Sequence, residues 1–126
     1  MYEGKHYGVP KDFDTIGVFY SKKIFREAGV AAPTADWPWD DFHDKAKKIS
    51  DWGKSKGIYG CATAINGDGQ STYYNTIAQA GGYVIKDGVS GFDDAKSIEG
   101  LQCWADWVDD GSVASPRIVS DTKPSQ

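Results

Sequence analysis

The chain has 126 residues, enough for one domain that buries most of the surface its unfolded form exposes. Its 14 basic and 18 acidic residues leave a formal net charge of -4, with neither sign gathered into a long run, which excludes the positive footprint that nucleic acid or an anionic membrane surface demands. No stretch approaches the roughly 20 apolar residues of a membrane span, and the first residues carry neither the basic nor the apolar region of a signal peptide.

Along the chain, TIGVFY (15–20) alternates, with Ile16, Val18 and Tyr20 on one side and Gly17 and Phe19 on the other; the pattern predicts a strand. Ser21 is placed to cap a short helix in which Ile24, Phe25 and Ala28 share a face, and Gly29 stands where a left-handed terminator belongs. After a loop over 30–38, Phe42, Ala46, Ile49 and Trp52 recur at helical spacing, with acids in the first turn and lysines later, as the helix dipole favours. Pro38 offers no capping hydroxyl to this helix. GIYGCATAI (57–65) reads as a second strand, closed by the turn NGDG (66–69).

STYYNTIAQAGG (71–82) predicts a helix of about two turns, capped by Ser71, with Tyr73, Ile77 and Ala80 inward and Gly81 and Gly82 as its stop. YVIKDG (83–88) is a short strand and turn. In 93–111 the residues Ile98, Leu101, Trp104 or Ala105, and Val108 make the clearest helical stripe, ended by Gly111. The last fifteen residues lack periodicity and read as a partly disordered exit segment. Strands alternating with helices predict an α/β domain, a small sheet flanked by helices.

The chemistry is mostly one of absences. No phosphate loop, G-x-G-x-x-G, G-x-S-x-G or H-E-x-x-H occurs. His6 and His43 are isolated and read as surface residues rather than metal ligands. Cys61 and Cys103 are too few for a disulfide framework or a four-ligand metal site, and read as buried free thiols rather than a bonded pair. The acidic pairs at 40–41 and 93–94 sit at helix starts, where the dipole accounts for them; Asp12 and Asp14, just before a strand, are the pair without that explanation. NGDGQST (66–72) gathers amides, hydroxyls and small residues between a strand end and a helix start, the kind of crevice that α/β sheets use for ligands. It is equally readable as a polar turn, and Asp68 alone falls short of a calcium loop. Five tryptophans and seven tyrosines suit carbohydrate, whose C–H faces stack on rings, or simply a well-filled core.

Taken in order, GKHYGVPKDFDTIGVFYSKKIFREAGV, WPWDDFHDKAKKISD, GIYGCATA and YYNTIAQAGGYVI resemble the extracellular solute-binding proteins of ABC importers, and most closely the group that binds sugars and oligosaccharides. The resemblance covers about residues 4 to 112, with Ser21 and Lys22 in place of the usual Asn-Lys. It implies one lobe of a two-lobed fold, residues 1–112 supplying most of the second lobe from the interlobe crossing onward and 113–126 an exit segment. It further implies binding without catalysis or cofactor. The implied ligand contacts are Asp12, Asp14, Asp68, Gly69, Gln70, Ser71, Tyr73 and Tyr74. Tyr73 and Tyr74 are also readable as core.

The implied partners are a small sugar and a membrane permease, and the implied location of the parent protein is extracellular, periplasmic or a cell-surface lipoprotein. Apolar faces normally covered by other segments are expected to favour self-association. The same fold carrying a non-sugar solute, and a carbohydrate-active enzyme or lectin module dependent on Asp14, are the alternatives.

Overall fold

The computed structural model describes residues 3–13, 15–63, 69, 70 and 72–121. The predicted helices form. In α1 (Lys22–Glu27) the Ser21 hydroxyl accepts from the Ile24 amide at 3.3 Å, and Gly29, at φ +67°, ends the helix in the left-handed region. Helix α2 (Trp39–Gly53) starts at Pro38 with no side-chain cap and buries Phe42, Ala46 and Ile49. Trp52 is only half-buried, and the Lys56 ammonium covers its ring at 3.6 Å.

Helix α3 (Tyr73–Gln79) buries Ile77 and Thr76. A two-stranded antiparallel hairpin follows, β1 (Ile85–Lys86) pairing with β2 (Val89–Ser90), turned through Asp87 and Gly88, both at positive φ. Helix α4 (Ala95–Asp109) is capped by the Asp94 carboxylate, which accepts from the amides of Lys96 and Ser97. A last short helix, α5 (Pro116–Asp121), has proline at its first position, where no amide is needed. The result is a helix-rich α/β lobe with a small sheet. Among the described residues no helix is long and apolar enough to cross a membrane.

Four expectations are corrected. Residues 16–20 form no strand, because an alternating pattern supplies a face but not the neighbouring edge that pairing requires. The second predicted strand shrinks, among its described residues 57–63, to one parallel bridge between Cys61 and Val113. The buried face of α4 is Ser97, Gly100, Trp104 and Trp107; of the expected apolar stripe Trp104 lies on it, while Ile98 is 49% exposed and Leu101 and Val108 are half-buried.

The reason is close approach. A Cβ on Gly100 would lie 2.5 Å from the Ile77 Cα, so α3 and α4 meet nearly backbone to backbone. Thr76 then donates to the Gly100 carbonyl at 2.6 Å, and Trp104 Nε1 donates to Thr76 at 3.1 Å. The fourth correction concerns the exit segment: Val113 and Ala114 lie in the core, and α5 gives 116–121 the regular structure the sequence does not announce. Residues 122–126 lie outside the described residues.

The core is aromatic. Phe42, Trp104, Trp107 and Val113 form its centre, with Trp37, Trp39 and Tyr73 packed on them. Ser50 ties the layers together, accepting from the Gly60 amide at 2.7 Å and donating to the Ser112 carbonyl at 3.2 Å. At the far end of α4 the Asp110 carboxylate meets His43 Nε2 at 2.6 Å and accepts from the Ser112 amide at 2.7 Å, while the His43 ring stacks on Trp107. His43 is thus a bridge between α2 and α4 rather than an idle surface residue.

Burial alone would raise the Asp110 carboxyl, but hydrogen bonds from Ser112 and the contact with His43 outweigh it and hold the group below its usual range. A depressed folded value means stabilisation that is complete above the unfolded carboxylate value and lost as pH falls through the folded one. In urea titrations across a pH series, the wild type is expected to lose stability below about pH 4, and Asp110→Asn to lose less over that range.

Candidate functional site

Of the residues singled out from the sequence, four come together at the start of α3. The Gly69 carbonyl accepts from the amides of Thr72 at 3.2 Å and Tyr74 at 2.9 Å, folding the turn onto the helix. Gly69 itself is buried. A Cβ there would stand 2.5 Å from the Tyr74 ring and 2.6 Å from the Tyr73 ring, so only glycine lets the turn lie against both tyrosines. The Asn75 side-chain amide donates to the Gln70 carbonyl at 2.6 Å, securing the turn from the helix side. Gln70 is exposed.

The two tyrosines divide their roles. Tyr73 packs on the aromatic core and sits near Phe92, with ring centroids 6.4 Å apart. Tyr74 meets Tyr73 edge-on at 5.1 Å and is 38% exposed, leaving ring surface open to a ligand. Asp12 lies apart, on an exposed segment, with Lys11 Nζ 3.6 Å away as its ion-pair partner. Asp14, Asp68 and Ser71 lie outside the described residues.

A cavity of about 350 Å³ opens beside this turn, and sequence reasoning missed it. Residues 16–21 form one wall and 59–63 another, with Phe42, Ala46 and Ile49 of α2 on its floor; Thr72 and Asn75 connect it to the turn. Its signal was present but unreadable: both walls are the segments whose sequence predicts strands. Cys61 also lines it, and burial pushes that thiol up to about 11, so it remains protonated and unreactive at neutral pH. Both cysteines are free, and both are half-buried rather than fully buried.

Apolar walls, two tyrosine rings, amides and hydroxyls line the site, and Lys45, paired with Asp41, is the one charged side chain among the cavity's described lining residues. Among the described residues no cluster of three or more His, Cys, Asp or Glu side chains is arranged to hold a metal ion.

A family model described as bacterial extracellular solute-binding protein matches residues 1–119. The chain belongs to that family. Two relatives within reach of this solute-binding family member are binding proteins of Brucella abortus strain 2308 and Brucella suis biovar 1 strain 1330. Each is 29% identical over 122 residues, covering 94% of this chain and 28% of the relative. Among solved structures, the ABC substrate-binding protein Lmo0181 from Listeria monocytogenes, in complex with cycloalternan, matches with a TM-score of 0.67 at 31% identity, over 83% of this chain and 26% of that one. This solute-binding chain therefore spans little more than a quarter of the length of the relatives it matches.

Proposed function

We propose that this chain is part of the substrate-binding component of an ABC importer, a protein that captures an extracellular sugar or oligosaccharide in a cleft between two lobes and delivers it to a membrane permease. The observation that carries the reading is the likeness, at 31% identity, to a substrate-binding protein solved with an oligosaccharide. In this reading residues 1–112 belong to the second lobe, and the contacts come from Asp12, Asp14, Asp68, Gly69, Gln70, Ser71, Tyr73 and Tyr74. Tyr74 supplies the stacking ring, residues 69–71 supply amide and hydroxyl partners, and Tyr73 holds Tyr74 in place. No bond of the ligand is made or broken.

Binding contributes free energy to closing two lobes only through contacts made on both, so one lobe alone holds its guest weakly. The isolated chain is expected to bind linear or cyclic gluco-oligosaccharides more weakly than millimolar in titration calorimetry. The chain extended to the length of its relatives is expected to bind far more tightly, and Tyr74→Ala in that longer protein to weaken binding about tenfold. Tight binding by the isolated chain, or release of hydrolysed sugar, would instead identify a lectin module or a glycoside-cleaving enzyme.

A further inference from the structure

Asn75, on helix α3, touches both the turn at Gln70 and the cavity. Its Nδ2 donates to the Gln70 carbonyl at 2.6 Å and, more weakly, to the Thr72 carbonyl at 3.4 Å. Carbonyl oxygens only accept, so the side-chain amide cannot be turned over: its NH2 must face the turn, and Oδ1 is left on the other side. Among the described residues nothing donates to that oxygen. Asn75 is half-buried, and no buried side-chain oxygen or nitrogen among the described residues lacks a partner, so Oδ1 is accessible. A residue lining the cavity therefore carries a hydrogen-bond acceptor whose role is fixed by the two carbonyls behind it.

We infer that Asn75 Oδ1 accepts a hydrogen bond from one hydroxyl of the bound saccharide, which makes Asn75 a specificity-determining residue that demands a donor at that point of the ligand. The inference rests on the saccharide-binding reading above and adds a residue that reading does not include. A hydroxyl there pairs with the oxygen. An ether oxygen, a fluorine or a carboxylate would set lone pairs against lone pairs and leave the acceptor unmatched, at a cost of about tenfold or more in affinity. The same amide braces the turn, so a hydroxyl bonded to Oδ1 also polarises the N–H groups held by Gln70 and Thr72 and tightens the turn around the ligand.

Titration calorimetry on the protein extended to the length of its relatives tests this, using linear and cyclic gluco-oligosaccharides and, for the tightest binder, derivatives with single hydroxyls replaced by fluorine. In the wild type, fluorine at one position is expected to weaken binding about tenfold or more. In Asn75→Ala that penalty is expected to shrink to about twofold or less while the penalties at other positions stay as they were. Loss of the brace alone would weaken all derivatives alike. Asn75→Asp keeps an oxygen acceptor without the amide donors and is expected to retain the penalty, which decides the matter if the alanine variant does not fold. No binding by any of the oligosaccharides overturns the saccharide-binding reading and this inference with it. Binding with no fluorine penalty in the wild type, with the same penalties in Asn75→Ala, or with the penalty lost in Asn75→Asp overturns the inference alone and leaves Asn75 a brace of the turn.

Discussion

Gly100→Ala is expected to lower the thermal unfolding midpoint by about 10 °C, corresponding to roughly 3 kcal/mol. The added methyl would stand 2.5 Å from the Ile77 Cα, 2.6 Å from its amide nitrogen and 2.7 Å from the Thr76 carbonyl carbon. These are backbone atoms, which cannot swing aside as a side chain would, so α3 must retreat from α4. That retreat stretches the Thr76 to Gly100 hydrogen bond and the bond that Trp104 makes to Thr76.

Helix propensity acts in the opposite direction, favouring alanine over glycine by about 1 kcal/mol in a helix interior. Overpacking against backbone is the larger effect, and it fixes the sign. Circular dichroism melts of the two proteins decide the matter, and a midpoint that rises would show that the helices are not held by close approach at this residue. Because the Gly69 turn is braced by Asn75 on α3, the same variant is expected to loosen the candidate ligand site from behind.

Trp107→Ala is expected to cost about 4 kcal/mol in urea unfolding, a large part of the 5–15 kcal/mol that a domain of this kind possesses. Its ring lies 5.2 to 5.6 Å, centroid to centroid, from those of Trp39, Phe42 and Trp104, and the His43 imidazole stacks on its other contact surface at 5.3 Å. Truncation empties the middle of that group and removes the platform that orients His43 toward Asp110. Trp107→Phe, which keeps a ring at the centre, is expected to cost distinctly less. Equal losses for the two variants would mean that the indole is anchored by something other than ring packing.

Helix ends and helix positions were legible because their causes are local. Ser21, Gly29 and Gly111 act within a turn of where they stand, through a capping oxygen or a left-handed φ, and each does so. The hairpin at 85–90 was half legible, through its Asp-Gly turn. The juxtaposition of Gly69 and Gln70 with Tyr73 and Tyr74 was legible too, since five residues of sequence span it.

What could not be read were the features that depend on a distant partner. Whether 16–20 and 57–63 become strands depends on an edge elsewhere in the molecule, and among the described residues only the Cys61–Val113 bridge is supplied. The face of α4 turned inward was chosen by the smallness of Gly100 and the hydroxyls of Thr76 and Ser97, because backbone proximity and satisfied buried polar groups outweighed the apolar stripe headed by Ile98. The sequence by itself therefore determined helices α1 to α4, the caps at Ser21 and Gly29 and the family. Only tertiary structure decided pairing, facing and the cavity, since each is a relation between segments whose separation along the chain carries no local signal.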